Sequence, residues 1–151
     1  MPPDRRTALF LIAALPLAAC GTPRRDEAEV TRGGPAQINR LISHYARVHD
    51  VPEAIIHQTV RRESGYNPAA RNGPYYGLMQ IHPQTARTMG YRGAPEGLLD
   101  PDTNLNYAVK YLRGAYLVAR GNVERTHMWY RRGYYYEAKR MGLLEETGLR
   151  S

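Results

Sequence analysis

The sequence is poor in residues that crosslink a chain or bind metal ions. Cys20 is the only cysteine among 151 residues, so no disulfide can form within the chain. The five histidines show no His-x-x-x-His or Cys/His spacing, and we therefore predict no metal site and no cofactor. The sequence also lacks zinc-finger spacing, RNP-like motifs and a basic-region zipper, which argues against nucleic acid as a partner.

Tryptophan and phenylalanine occur once each, whereas tyrosine occurs twelve times. All of the tyrosines lie between Tyr45 and Tyr136. A tyrosine ring suits a helical core, but its polar edge also suits a wet groove that stacks against sugars. Acidic residues are outnumbered by basic ones, and the net charge of +7 favours contact with anionic polymers or membranes. A solvated basic face without a specific partner is the alternative.

Long hydrophobic runs are absent as well. A membrane-spanning helix needs about 20 consecutive apolar residues, and no run in the sequence reaches that length. The apolar run at 8–15 follows Arg5 and Arg6 and precedes Leu17-Ala18-Ala19-Cys20. This pattern resembles the lipobox of bacterial lipoproteins. It predicts a lipoprotein signal peptide at 1–19, lipidation of Cys20 and, from Gly21, anchoring to the outer membrane. The alternative is an ordinary signal peptide cleaved near Ala19, with a free thiol left behind.

The rest of the chain divides into a tether and one helical domain. Residues 20–35 are rich in charge, glycine and proline, which predicts a flexible, disordered tether. From residue 36 the apolar residues recur at helical spacing, and we find no alternating run long enough for a strand. We predict an all-α, compact single domain over 36–142 and a C-terminal tail over 143–151. Its helices are expected at 36–49, 52–64, 83–89, 101–121, 123–130 and 134–141.

The segment 63–86 contains the candidate chemistry. Glu63 lies at the C-terminal end of an apolar helix, before a loop rich in glycine, proline and tyrosine. A carboxyl group that is partly desolvated there has a raised pKa and can act as a general acid. Arg61 and Arg62 would oppose this effect, but helical spacing is expected to turn them to other faces. Without further information, a solvent-exposed surface charge is the simpler interpretation of Glu63.

The spacing of the segment favours a catalytic role. Glu63-Ser64, Asn67-Pro68-x-Ala70 and Gly77-Leu78-Met79-Gln80-Ile81-x-Pro83-x-Thr85-Ala86 together resemble the core of the soluble lytic transglycosylase domain, in the lysozyme-like superfamily. Residues 51–56, Asn104 with Tyr111-Leu112, and Tyr130-x-x-Gly133 extend the resemblance over about 36–136. It implies a lysozyme-like fold with Glu63 as the catalytic acid–base. The implied substrate-binding residues are Ser64, Asn72, Tyr75, Tyr76, Gly77, Met79, Gln80 and Tyr130.

Three departures from the family pattern bear on substrate contacts. The loop from Glu63 to Gly77 is one residue shorter, Asn72 stands where a serine is usual, and Arg131 replaces the asparagine of the second motif. Tyr75 and Tyr76, where alanine is common, suggest an aromatic rim on the groove. Simple packing of the loop is the alternative.

The resemblance implies that the protein cleaves peptidoglycan glycan strands in the periplasm, as a monomer. The expected reaction breaks the bond between N-acetylmuramic acid and N-acetylglucosamine and forms a 1,6-anhydro ring. Two alternatives stay open at this point. One is a muramidase that uses water on the same fold, and the other is a glycan-binding lipoprotein with a decayed site.

Overall fold

A computed structural model describes residues 36–150 of the chain. The predicted signal peptide, Cys20 and the predicted tether lie outside the described residues. Within the described range the chain is mostly helical. Its elements are α1 (Ala36–Val48), α2 (Glu53–Ser64), β1 (Arg71–Asn72), β2 (Tyr75–Tyr76), α3 (Pro83–Thr88), a 3-10 helix (Pro95–Leu99), α4 (Pro101–Val118), α5 (Val123–Arg132) and α6 (Tyr135–Met141).

The local signals in the sequence mark the helix ends correctly. The Asp100 side chain accepts a hydrogen bond from the Thr103 N–H at 2.8 Å, which caps α4 just before Pro101. Gly65 ends α2 in the left-handed conformation, at φ +58°, where a glycine has no Cβ to clash. The all-α prediction is therefore confirmed, with helix ends that differ by one to three residues.

Helix α4 is the centre of the domain. It packs against α1, α3, α5, α6 and the 3-10 helix. A helix that packs against five other elements buries a large part of its surface, and this explains why most of its inward positions are small or apolar. The buried residues of α4 are Asn104, Leu105, Ala108, Val109, Leu112, Gly114, Ala115 and Val118. Only one of these, Asn104, has a polar side chain.

Three short elements were not predicted, namely β1, β2 and the 3-10 helix. β1 and β2 pair antiparallel, Arg71 with Tyr76 and Asn72 with Tyr75, so the prediction that no strand is present is wrong for this loop. Strands of two residues are too short to show an alternating pattern. The 3-10 helix was likewise missed, because it is a single short turn of chain.

The residues after α6 pack on the domain. Leu144 belongs to the hydrophobic core and Thr147 is buried, with its hydroxyl donating to the Leu143 carbonyl at 2.7 Å. The segment at 143–150, which the sequence suggested as a tail, therefore contributes to the core through at least one side chain.

Candidate active site

Glu63 is positioned by the apolar face of α2. Thr59 and Val60 are buried, and a residue three or four positions further along a helix lies on the same side. Glu63 therefore turns toward the core, but it lies in the last turn, where the chain leaves at Gly65. The result is a carboxyl group that is partly buried rather than exposed on the surface.

The carboxyl group faces a cavity of about 410 Å³. This volume falls within the range of pockets that hold small ligands, roughly 300–1,000 Å³. We call it the catalytic cavity. Its lining consists of Arg62, Glu63, Asn72, Tyr75, Gln80, Tyr130 and Arg131. Among these described residues, Glu63 is the only one with a carboxyl group.

Opposing influences act on the pKa of Glu63. Burial raises it, because a charged carboxylate loses hydration in the partly closed cavity. The positive charges of Arg131 and Arg62 lower it, but the net direction is upward. The expectation that Arg62 turns away is therefore wrong. An arginine side chain is long, and at the open end of a helix it can reach a cavity beside its neighbour's face.

The loop after β2 presents Gln80 to the same cavity. The Gln80 amide nitrogen donates to the Gly77 carbonyl at 2.9 Å and to the Ala70 carbonyl at 3.1 Å. The backbone of Gln80 is left-handed, at φ +48°, a conformation that costs a side-chain-bearing residue energy. These two hydrogen bonds fix the amide against the hairpin, so its orientation in the cavity is set before any ligand arrives.

Asn104 holds this loop from inside the protein. Its side-chain nitrogen donates to the Tyr76 and Leu98 carbonyls, both at 2.8 Å, and its oxygen accepts from the Met79 N–H at 3.0 Å. The residue is fully buried, and all three bonds satisfy backbone groups that water does not reach. The sequence matched Asn104 to a family motif but did not indicate that it anchors the loop.

Tyr130 closes the cavity from α5. Its hydroxyl donates to the Met79 carbonyl at 2.9 Å. Burial, and after it the negative charge of Glu63, raises the pKa of Tyr130 well above its usual value. The hydroxyl is therefore a neutral hydrogen-bond donor at every pH of interest, and the ring is a fixed wall of the cavity.

The structure thus brings five of the suggested site residues together and separates four others from them. Glu63, Asn72, Tyr75, Gln80 and Tyr130 line the catalytic cavity. Four suggested residues are not part of this lining, namely Ser64, Tyr76, Gly77 and Met79. The side chains of Tyr76 and Met79 are buried, which corrects the expectation for these two, whereas substrate binding by Ser64 and by the backbone at Gly77 stays a prediction.

Each of these four residues has a structural explanation. Ser64 donates to the Leu78 carbonyl at 2.7 Å, and Met79 is fully buried in the core. The Tyr76 ring is buried, with the Arg71 guanidinium over its face at 4.3 Å, so the aromatic rim consists of Tyr75 alone. Gly77 has φ +71°, and a Cβ there would overlap the Asn104 side chain and the Leu98 carbonyl.

Two arginines in the lining, Arg62 and Arg131, were not predicted to act at the site. Arg131 was visible in the sequence as a departure from the family motif, and that departure was the only available signal. Among the described residues, no group of three or more His, Cys, Asp or Glu could hold a metal ion. Nor is any helix within 36–150 both long enough and apolar enough to cross a membrane.

The described part of the chain is a helical, lysozyme-like domain, and Glu63 is the only carboxyl group among the described residues that line its catalytic cavity. The chain belongs to the Transglycosylase SLT domain family, whose model matches residues 40–141. The sequence is 36% identical over 90 residues to the soluble lytic murein transglycosylase of Salmonella typhimurium, covering 54% of this chain and 14% of that protein. It is 34% identical, over the same shares, to the soluble lytic murein transglycosylase of Escherichia coli.

Solved structures lead to the same family. The crystal structure of the 70 kDa soluble lytic transglycosylase of Escherichia coli superposes with a TM-score of 0.60 and 28% sequence identity, over 72% of this chain and 19% of that one. A complex of the 70 kDa soluble lytic transglycosylase with bulgecin A superposes with a TM-score of 0.61. The present chain therefore corresponds to less than a fifth of these larger proteins.

Proposed function

We propose that this protein is a peptidoglycan lytic transglycosylase that cleaves the β-1,4 bond between N-acetylmuramic acid and N-acetylglucosamine. The observation that carries the proposal is the half-buried carboxyl of Glu63, the only one among the described residues lining a cavity that also contains Gln80 and Tyr130. Membership of the SLT family supports it. So do the names of the curated relatives, which describe enzymes acting on murein.

The first step is protonation of the leaving group. Burial raises the pKa of Glu63 and so favours the protonated carboxyl group, which donates its proton to the glycosidic oxygen. As the bond from the muramyl C1 to that oxygen breaks, the N-acetyl group of the substrate assists by sharing the positive charge. Glu63 becomes a carboxylate, which the guanidinium groups of Arg131 and Arg62 stabilise.

The second step returns the proton. The Glu63 carboxylate takes the proton of the muramyl 6-hydroxyl, whose oxygen attacks C1 and closes a 1,6-anhydro ring. No water is consumed, and Glu63 is left protonated for the next cycle. An intramolecular hydroxyl can outcompete water because effective molarities for such reactions reach about 10⁵–10⁸ M.

The lining of the cavity favours this route over hydrolysis. Glycosidases that use water commonly need a second carboxylate at a set distance from the first. Glu63 has no such companion among the described lining residues of the catalytic cavity. A reaction that needs only one carboxyl group fits this arrangement better.

The mass of the products tests the proposal. Digestion of purified sacculi should release muropeptides one water lighter than their hydrolysed counterparts, and mass spectrometry distinguishes the two. Glu63→Gln should lower the rate by roughly 10²–10⁴-fold, which is the usual contribution of a general acid. Glu124→Gln, a matched change of an exposed acid on α5, should leave the rate unaltered.

Two results would contradict the proposal. Products that carry the extra water would identify a muramidase. Equal glycan release by the wild type and Glu63→Gln would show that this carboxyl group is not the catalyst, as expected for a binding protein with a decayed site.

We propose further that the protein is a periplasmic lipoprotein, monomeric, and held at the outer membrane through Cys20. The support is the sequence pattern around Cys20 and the role of murein as the substrate of the relatives. Growth with labelled palmitate should label the wild type, and Cys20→Ser should abolish the label and release the protein from the membrane fraction. Labelling that persists in Cys20→Ser would exclude this anchor.

A further inference from the structure

A second cavity of about 240 Å³ adjoins the catalytic cavity. Four residues line both cavities, namely Tyr75, Gln80, Tyr130 and Arg131. The two spaces therefore share a wall, and a substrate seated beside Glu63 can extend from one into the other. We call the second space the side cavity.

The side cavity is positively charged. Arg131 and Arg132, both in the last turn of α5, contribute to its lining, and no aspartate or glutamate among the described residues does so. None of the ion pairs found within 36–150 includes Arg131 or Arg132, although the charge of Arg131 also acts on Glu63 in the adjoining cavity. Both arginines are exposed and can reach a ligand without rearrangement of the core.

A guanidinium group selects for a particular ligand chemistry. It is always charged, and its planar array of N–H donors matches a carboxylate in a bidentate geometry. The family motif has an asparagine at the position of Arg131, and an asparagine can form hydrogen bonds but has no charge. This chain therefore places one more positive charge at the groove than the motif requires.

We propose that the side cavity is a subsite for a carboxylate carried by the muramyl residue, with Arg131 and Arg132 as its ligands. The inference rests on the proposed function, because it assumes a muramic acid in the catalytic cavity. Muramic acid carries a lactyl group on its ring. On glycan without peptides this group ends in a free carboxylate, whereas on intact strands it is amide-linked to a peptide that has carboxylates of its own. Both sources present the same chemistry to the arginines.

Binding to the full-length Glu63→Gln variant tests the subsite without dependence on turnover. Calorimetry would compare three glycan oligomers of equal length. The first carries peptides, the second has free lactyl carboxylates after removal of the peptides, and the third has those carboxylates converted to neutral amides. We expect the better of the two charged ligands to bind roughly 3- to 10-fold more tightly than the neutral one, as for a partly exposed charge pair.

Substitution of the arginines should remove this preference. Arg131→Asn and Arg132→Gln, each added to Glu63→Gln, should lower the ratio of charged to neutral affinity toward one. The ratio is the informative quantity, because general damage to the groove weakens all three ligands alike. Arg125→Gln is the matched control, since Arg125 is an exposed arginine in the first turn of the same helix and should leave the ratio unaltered.

The ligand comparison also identifies the source of the carboxylate. Tighter binding of the free lactyl acid than of its amide assigns the lactyl group, and tighter binding of the peptide-bearing oligomer alone assigns the peptide. Equal affinity for all three ligands would overturn the proposal, as would a charge preference that survives in both arginine variants. Failure of the proposed function is seen separately, as the wrong product mass or as undiminished glycan release by Glu63→Gln.

Discussion

The loop from Gly77 to Ile81 has two sides that differ in their physical chemistry. Its inner side faces Asn104, whose side chain pairs with the Met79 N–H and with the carbonyl of Tyr76, the residue just before the loop. Its outer side faces the catalytic cavity, where Glu63 is partly buried beside two arginines. The inner side is held by hydrogen bonds to Asn104, whereas the outer side faces a carboxyl group whose charge is disfavoured by burial.

This difference shows that one continuous sequence motif serves two purposes. Gly77 and Met79 lie within three residues of Gln80 in the chain but belong to the packed side, together with Ser64. Gln80 and Glu63 belong to the reactive side. A rigid inner side is what allows the outer side to hold its groups in place, since a site must be ordered before its substrate arrives.

The largest effect is expected from a change on the inner side, Gly77→Ala. A Cβ at this position meets the Asn104 side chain and the Leu98 carbonyl, and φ is +71°. Strain and overpacking together should lower the free energy of unfolding by about 3–5 kcal/mol. Gly73→Ala is the control, because its φ is +57° but its Cβ would meet nothing within 4 Å. It should cost only about 1–2 kcal/mol; equal losses by urea denaturation would refute the close packing.

A slightly smaller effect is expected from Asn104→Ala. The change leaves the Met79 N–H and the Leu98 carbonyl buried without the bonds that Asn104 provides. We expect a loss of about 2–4 kcal/mol in stability. Asn106→Ala on the same helix removes one partly buried bond to His49, at 3.2 Å, and should cost about 1 kcal/mol or less. If both variants unfold at the same denaturant concentration, Asn104 is not the anchor.

Tyr130→Phe distinguishes an effect on stability from an effect on catalysis. It removes the hydrogen bond to the Met79 carbonyl, and Tyr134→Phe removes an equivalent bond to the Tyr111 carbonyl at 2.8 Å, away from the catalytic cavity. Both should lose about 1 kcal/mol of stability. Only Tyr130→Phe should also lower kcat on sacculi, because only Tyr130 lines the catalytic cavity. Equal kcat values for the two variants would show that the Tyr130 hydroxyl contributes to stability and not to catalysis.

The smallest effect is expected on the outer side, from Arg131→Asn. Loss of this positive charge raises the pKa of Glu63 further, since Arg131 lowers it in the wild type. A general acid must be protonated, so the alkaline limb of the kcat/KM profile should move to higher pH. Arg132→Asn is the control, because Arg132 lines only the side cavity. A shift toward lower pH, or the same shift in both variants, would contradict this account of the carboxyl group.

The sequence predicted the helices well because their signals are local. Asp100-Pro101 marks the start of α4, and Gly65 marks the end of α2, each through a cap that depends on a few neighbouring residues. The hairpin of β1 and β2 has a local signal only for its turn, Gly73-Pro74, and its two-residue strands have none. It is held by contacts from elsewhere, among them the Asn104 side chain on the Tyr76 carbonyl, 28 positions away in the chain.

The candidate site was only partly predictable, for the same reason. The motif pointed to Glu63, Gln80 and Tyr130, and all three line the catalytic cavity. It also pointed to Met79, whose side chain is in the core, because a motif records which residues occur together and not which way they face. Arg62 reaches the cavity because its long side chain starts from the last turn of α2. Residue spacing alone does not show how far such a side chain extends.

The sequence by itself determined the helical class, the family and the identity of the candidate acid. It could do so because helix caps, apolar periodicity and residue spacing are properties of neighbouring residues. Only the tertiary structure decided which residues face the cavity and which opposing influences act on the pKa of Glu63. Burial and the approach of distant charges determine both, and these arise when Arg131 and Tyr130 on α5 come to lie beside the end of α2.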